Sequence, residues 1–119
     1  MKNSPLESAE QKGFIDWLRN KHPHLISFSI PNGATMTKRE AMKMKNEGLL
    51  EGVLDICVML PFGKSVFIEM KRVRPKGRLS DVQKDFIKKA NDLGHDTIVA
   101  WGAEDASIKF LRYLEDNSF

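Results

Sequence analysis

The order of apolar and polar positions along the 119-residue chain predicts eight secondary-structure elements. Four segments carry apolar residues at helical spacing, and four shorter segments are rich in β-branched and aromatic residues. Their order is helix, strand, helix, strand, strand, helix, strand, helix. This order is typical of an α/β domain in which helices flank a central mixed sheet of about four strands.

Three of the predicted helices start with a capping box, in which Ser or Thr is followed three residues later by Glu or Gln. The three pairs are Ser4 and Glu7, Thr37 and Glu40, and Ser80 and Gln83. A capping role explains Glu7, so we expect its side chain to point away from any functional site. The first three helices should end at His22-Pro23, Gly48 and Gly94, and the fourth helix is predicted at residues 104–114.

The two most apolar segments, residues 53–60 and 65–71, predict neighbouring buried strands. Only residues 61–64 separate them, so they should form an antiparallel hairpin. After the third helix, residues 97–101 should return as a strand parallel to residues 65–71, through a right-handed crossover. The remaining strand is predicted at residues 25–30.

Composition favours a single domain spanning residues 1–119, with 41% apolar residues and no internal repeat. No apolar run in the sequence is long enough to span a bilayer, and the first residues do not resemble a secretory signal. Cys57 is the single cysteine, which excludes an internal disulfide. We therefore expect an intracellular protein with no membrane partner.

The net charge of +3 comes from one short segment of the chain. Five cations and no acid lie within eight residues, which leaves 14 of the 19 basic residues against 16 acidic ones elsewhere. The five cations are Lys71, Arg72, Arg74, Lys76 and Arg78. Such a patch suits a polyanion such as nucleic acid, although a solvated loop is the more common explanation of a charge run.

Two acidic residues interrupt the predicted central strands: Asp55 in the first and Glu69 in the second. An ionised carboxylate in a buried strand is unfavourable unless it is paired or binds a metal. Because strand side chains alternate between faces, both acids and Lys71 can share one face near the open end of the hairpin. A shared Mg²⁺ or Mn²⁺ would relieve the repulsion between the acids. A structural ion pair with Lys71 is the alternative.

Two further polar residues are candidates for the same site. Glu10 is spaced by four and eight residues from Phe14 and Leu18, so it lies on or beside the apolar stripe of the first helix. It is either a metal ligand or a surface residue at the edge of that stripe. Gln83 is explained by its capping box with Ser80, but it also follows the basic segment closely enough to contact Lys71 or a phosphate.

Five segments between residues 31 and 86 share a pattern with a known protein family. They are Pro31–Gly33, Gly48, Gly52–Ile56, Phe67–Arg72 and Gly77–Phe86. The Asp…Glu-x-Lys core is common by itself, but its combination with the Pro-Asn-Gly turn and the Gly-Arg-Leu-Ser-x-x-Gln segment is specific. The chain resembles the VRR-NUC (virus-type replication-repair nuclease) domain of the PD-(D/E)XK nuclease superfamily. One departure is Leu54, where the family usually has proline before the aspartate.

The resemblance implies a restriction-endonuclease-like core and assigns a role to each candidate. Asp55, Glu69 and Glu10 would hold a divalent metal together with the backbone carbonyl of Met70, and Glu10 would be the acid supplied by the helix. Lys71 would help to activate the attacking water. Gln83 would be a further residue of the active site. Stand-alone members of this size occur in phages and bacteria, resemble Holliday junction resolvases and are typically homodimers.

We therefore expect a Mg²⁺- or Mn²⁺-dependent endonuclease that hydrolyses DNA phosphodiester bonds, with a four-way junction as its leading substrate and a homodimer as its active form. The residues expected to contact DNA are Asn32, Lys38, Arg39, Lys43, Arg72, Arg74, Lys76 and Arg78. Three alternatives remain: a monomeric flap or general DNA nuclease, a catalytically inactive DNA-binding module, and a structural subunit with a buried ion-pair network.

Overall fold

The computed structural model describes residues 4–31 and 36–119 and, in the first of these ranges, side chains from Glu7 onward. The elements are α1 (Ser4–Lys21), β1 (Ile26–Ser29), α2 (Lys38–Asn46), β2 (Ile56–Met59), β3 (Ser65–Lys71), α3 (Asp81–Asp92), β4 (Asp96–Trp101) and α4 (Ala103–Asp116). Pro61–Gly63 form a single turn of 3₁₀ helix between β2 and β3. The predicted α/β fold and its element order are therefore confirmed.

The sheet has the strand order β1-β2-β3-β4. The pairs β1/β2 and β2/β3 are antiparallel, whereas β3 and β4 are parallel and are connected through α3. The predicted hairpin and the predicted parallel return strand are both confirmed. Because β3 lies in the interior of the sheet, its side chains are covered on both faces, which explains its nearly continuous apolar sequence.

Helix starts follow the capping signals where the structure describes them. Thr37 caps α2: its Oγ1 accepts a hydrogen bond from Glu40 N at 3.1 Å, and Glu40 Oε1 accepts one from Thr37 N at 3.0 Å. Ser80 and Gln83 cap α3 in the same reciprocal way. The Ser4 side chain lies outside the described part of the chain, so its predicted cap stays a prediction.

The hydrophobic core lies between one face of the sheet and the helices α1 and α4. Phe14 of α1 and Phe110 of α4 are fully buried and meet edge to face with ring centroids 6.4 Å apart. The other face of the sheet is covered by α3, where Phe86 packs on Phe67 of β3 at 5.7 Å. Val82 of α3 and Leu93, which directly follows the helix, remain 47% and 79% exposed, so α3 covers its face incompletely.

One strand boundary differs from the prediction at the residue that matters most. The segment 53–60 was predicted to be a strand throughout, but β2 begins only at Ile56, and Asp55 lies in a bend just before it. The carboxylate of Asp55 accepts a hydrogen bond from the amide of Met70 in β3. The Asp55 side chain thus accepts the hydrogen bond that a backbone carbonyl of β2 would accept in a regular antiparallel pair. The regular strand is shorter as a result.

In the ranges that the structure describes, no helix combines the length and the apolar character that crossing a bilayer requires.

Candidate active site

Asp55 is held firmly where β2 emerges from the preceding loop. Its backbone oxygen accepts a hydrogen bond from Ile30 N at 2.7 Å, and its Oδ2 accepts one from Met70 N at 2.9 Å. In the β2/β3 register Ile56 lies opposite Ile68, so the residue before Ile56 comes beside Glu69. The predicted convergence of Asp55 and Glu69 follows directly from this pairing.

Glu69 is only 3% exposed although it carries a carboxyl group. Its Oε2 accepts a hydrogen bond from Gln83 Nε2 at 2.8 Å and lies 3.3 Å from Lys71 Nζ. Its Oε1 is also buried, but no hydrogen-bond partner for it is present among the described residues. A buried charged oxygen without a partner is strongly unfavourable, so this atom is suited to bind a cation.

Gln83 links the two charged residues of β3. Its Oε1 accepts hydrogen bonds from Lys71 Nζ at 2.9 Å and from Ser80 N at 3.0 Å, while its Nε2 donates to Glu69. The two explanations that the sequence left open for Gln83 therefore hold together, since one amide group caps α3 and also orients Lys71. The start of α3 is tied in this way to the centre of the sheet.

Burial makes both carboxyl groups of the site harder to ionise. Burial, together with the nearby charge of Asp55, raises the pKa of Glu69 from an ordinary value of 4.5 to about 7, against the opposing effects of Lys71 and Gln83. Burial also raises the pKa of Asp55, although the hydrogen bond from Met70 N opposes that shift. Paired carboxyls of this kind retain a proton near neutral pH unless a cation replaces it.

Glu10 is placed differently from what the sequence suggested. Its Oε1 accepts a hydrogen bond from Ala103 N, the first amide of α4, at 2.6 Å. The N-cap position of α4 is Gly102, which has no side chain to supply that bond. Glu10 therefore caps α4 from another helix. Its predicted role as a metal ligand stays a prediction, because the structure accounts for the carboxylate by a structural contact.

Glu7 of α1 lies close enough to the candidate site for its charge to act on Asp55. Its charge is one of the influences that raise the pKa of Asp55, and its Oε2 lies 3.7 Å from Arg72, just after β3. The contact with Arg72 gives Glu7 an interaction that its predicted capping role did not include. The spacing contained a signal for it, since Glu7 precedes Phe14 by seven residues and Leu18 by eleven and so shares their helix face.

A cavity of about 410 Å³ opens onto Asp55 and Gln83 and is bordered by the loop that includes Gly52. The residues present fit a hard divalent cation, because two carboxylates converge and one buried oxygen of Glu69 is free to coordinate. Among the described residues no third His, Cys, Asp or Glu completes a larger cluster. Such a set suits Mg²⁺ or Mn²⁺, of which Mg²⁺ commonly keeps several water ligands. Coordination by the Met70 carbonyl stays a prediction.

The basic residues predicted to contact DNA fall into two exposed groups. Arg74, Lys76 and Arg78 are exposed in the loop between β3 and α3, and Lys38, Arg39 and Lys43 are exposed on α2. Arg72 is partly buried beside Glu7. Asn32 lies outside the described residues, so its predicted contact is not located by the structure.

Comparison with known proteins identifies the fold but gives no sequence-level match. No family model and no curated protein matches the chain. Among solved structures, one described as "VRR_NUC domain protein" superposes with a TM-score of 0.74 at 18% identity, covering 92% of this chain and 88% of that chain. The resemblance inferred from the sequence motifs is thus confirmed in three dimensions, and the chain has the VRR-NUC fold.

Proposed function

We propose that the protein is a metal-dependent nuclease that hydrolyses DNA phosphodiester bonds. The observation that carries this proposal is the buried pair of Asp55 and Glu69, with Glu69 Oε1 unpartnered and the ammonium of Lys71 3.3 Å from Glu69 Oε2. A purely structural ion pair needs one acid and one base, whereas this site has a second acid, and ionising both acids would leave an excess of negative charge.

The roles of the residues follow from their contacts. Asp55 and Glu69 hold the divalent ion, and the hydrogen bond from Met70 N fixes the orientation of the Asp55 carboxylate. Lys71, positioned by Gln83, faces the same site and stabilises negative charge that develops on the phosphate under attack. When bound, Mg²⁺ or Mn²⁺ supplies Lewis-acid stabilisation of the phosphate and lowers the pKa of a coordinated water.

The exposed cations provide the affinity for DNA. The described part of α2 has no buried residue, yet the helix carries Lys38, Arg39 and Lys43 on its surface. A helix that contributes nothing to the core but presents positive charge is well suited to contact the DNA backbone. Contacts of this type position the duplex without reading bases, so the substrate is selected by shape.

Within that function, we propose branched DNA as the substrate, with a four-way junction cut symmetrically by a homodimer as the first expectation. Cleavage of flaps by a monomer is the alternative within nucleases. A binding module without catalysis is the alternative outside them, and the intact set of Asp55, Glu69 and Lys71 argues against it.

The test is cleavage of labelled four-way junction, flap and linear duplex in Mg²⁺, Mn²⁺ or EDTA. Wild-type protein is compared with Asp55→Asn and with Asp16→Asn, a matched change at an exposed carboxylate on α1 that pairs only with Lys12 among the described residues. We expect cleavage that is lost in EDTA and in Asp55→Asn but retained in Asp16→Asn.

Each other outcome selects an alternative. Paired symmetric nicks on the junction support the homodimeric junction nuclease, and cuts confined to flaps support the monomeric enzyme. DNA binding without cleavage in any metal would contradict the catalytic proposal and favour a binding module. The absence of salt-sensitive DNA binding would favour a structural role instead.

A further inference from the structure

Trp101 lies directly beside the candidate catalytic lysine. It ends β4, an edge strand of the sheet, and pairs with Lys71 of β3 in the parallel register. Neighbouring strands are about 4.8 Å apart, and paired residues of a parallel ladder point to the same face. The indole of Trp101 therefore stands on the face that carries Glu69 and Lys71, one strand further toward the edge.

Trp101 is partly buried, and its indole is anchored at its polar edge. Its Nε1 donates a hydrogen bond to Gly77 O at 2.8 Å, so the polar atom of the side chain is satisfied within the protein. Lys76 Nζ lies 4.6 Å from the ring centroid and Lys109 Nζ lies 5.0 Å from it. The ring is thus held in place by the contact with Gly77 and lies beside two long cationic side chains.

Next to Trp101 is a cleft of about 630 Å³ with a uniform charge sign. It is lined by Lys76, Gly77, Arg78, Leu79, Lys84 and Trp101. None of its three cations makes an ion pair with the residues that the structure describes, whereas Lys109 is paired with Asp105 at 3.0 Å. The cleft thus combines free positive charge with an aromatic platform, which are the two components of sites for single-stranded nucleic acid.

We infer that this cleft binds one unpaired nucleotide of the DNA strand that enters the active site, with its base stacked on Trp101 and its phosphate at the cations. The inference rests on the proposed nuclease function and favours, among branched DNAs, one with an unpaired base near the cut, such as a flap, over a fully paired four-way junction. Bases inside a continuous duplex are already stacked on both faces, so only a displaced base can reach the indole. Lys76 leaves the ring when the base stacks and its ammonium then contacts phosphate.

A structural role for Trp101 makes a different prediction. If the indole serves only to hold the basic loop through its bond to Gly77, DNA binding leaves its aromatic surface unchanged. The two roles are separable because stacking needs the π face, while the loop contact needs Nε1–H. Phe keeps the first property and loses the second, and Leu loses both.

The experiment uses intrinsic fluorescence in EDTA, where cleavage is absent. Trp17→Phe makes Trp101 the single tryptophan, and an aromatic ring is kept at position 17, where the indole stacks on Phe14 at 5.9 Å. The probes are a short oligothymidylate and a blunt duplex. We expect saturable quenching by the oligothymidylate and little by the duplex. An unchanged indole signal, while polarisation shows the oligothymidylate bound, would overturn the inference.

A second measurement compares Trp101→Phe with Trp101→Leu in affinity for a forked DNA and for blunt duplex. We expect Leu to weaken fork binding roughly ten-fold, while Phe loses much less and duplex binding changes little in both. Equal losses in Phe and Leu would overturn stacking and leave the loop contact as the role of Trp101. If the oligothymidylate quenches Trp101 fluorescence but the protein cleaves no DNA with Mg²⁺ or Mn²⁺, only the proposed nuclease function is refuted. If the protein cleaves DNA but Trp101 fluorescence is not quenched, only the proposed nucleotide site is refuted.

Discussion

At the residue scale, the central feature is a carboxyl group that is buried without sufficient partners. Glu69 has one oxygen bound by Gln83 and the other without a partner in the described structure. Natural proteins seldom leave such an atom buried unless it has a function. The metal proposal explains why the residue is acidic at all, since Gln in its place would satisfy the same neighbours without repelling Asp55.

The raised pKa of Glu69 predicts how stability depends on pH in EDTA. The folded protein holds the Glu69 proton up to about pH 7, whereas the unfolded chain releases it near 4.5. The contribution of this group to the free energy of unfolding is therefore complete below pH 4.5 and is lost as the pH rises through about 7. Urea unfolding of wild type and Glu69→Gln across this range should show a difference that grows with pH in favour of the variant.

The comparison between the two proteins is needed because His22 acts in the opposite direction. Burial lowers the pKa of His22, so its contribution is present above its ordinary value of 6.5 and is lost as the pH falls. This term is the same in wild type and variant and cancels in the difference. A difference that is constant with pH would contradict the raised pKa of Glu69.

Sequence reasoning located Asp55, Glu69 and Lys71 together because the two-residue period of strands determines which side chains share a face. It favoured Glu10 over Glu7 as the acid of the site. Both flank the stripe of Phe14 and Leu18, and the choice depends on where α4 ends up in three dimensions. Such a contact between residues 93 positions apart leaves no local signal.

At the element scale, the positions of Glu7 and Glu10 on α1 predict that one affects mainly cleavage and the other mainly stability. Glu10→Ala removes the acceptor for the first amide of α4 and should lower the free energy of unfolding by about 1 kcal/mol. Glu7→Ala removes a partly exposed charge near Asp55 and should lower cleavage more than stability. Parallel unfolding and cleavage assays check this, and the reverse assignment would show that Glu10 is the acid of the active site.

Two glycines, one before β2 and one after it, predict different losses of stability when replaced by alanine. Both Gly52 and Gly63 have positive φ, but a Cβ on Gly52 would lie 2.4 Å from the carbonyl oxygen of Val82, whereas one on Gly63 would have nothing within 4 Å. Gly63→Ala should cost about 1 kcal/mol for backbone strain. Gly52→Ala adds a clash with α3 and should cost about 1–3 kcal/mol more, measured by thermal unfolding.

The clash also has a functional consequence, because Val82 neighbours Gln83 and the loop continues to Asp55. Gly52→Ala should therefore reduce cleavage below what its loss of folded protein explains, while Gly63→Ala should not. Equal behaviour of the two variants would mean that the loop is free to move away from α3 and does not set the position of Asp55.

Element boundaries were predictable wherever a side chain caps or breaks the backbone. The capping residues Thr37 and Ser80 start α2 and α3 as expected, and β3 has the predicted bounds. β2 was predicted too long because its first residues have the composition of a strand. Hydrogen bonding by the Asp55 side chain, which composition does not reveal, ends the regular pairing there.

At the scale of the whole molecule, the distribution of charge predicts the salt dependence of DNA binding. If Lys38, Arg39 and Lys43 contact phosphates, replacing all three with Gln should lower the slope of log affinity against log salt by about 0.9 for each contact. The matched control replaces three exposed lysines that are already paired within their own helices, Lys12, Lys88 and Lys89. Equal slopes for the two triple variants would remove α2 from the DNA interface.

The central claim is that Asp55 and Glu69 form a divalent metal site, and calorimetric titration with Mn²⁺ tests it most directly. We predict saturable binding to wild-type protein, accompanied by proton release near pH 7 because Glu69, whose pKa is raised to about 7, gives up its proton. We predict loss of binding in Glu69→Gln and retention in Asp16→Asn. Equal Mn²⁺ binding by wild type and Glu69→Gln, or none by wild type, would contradict the account.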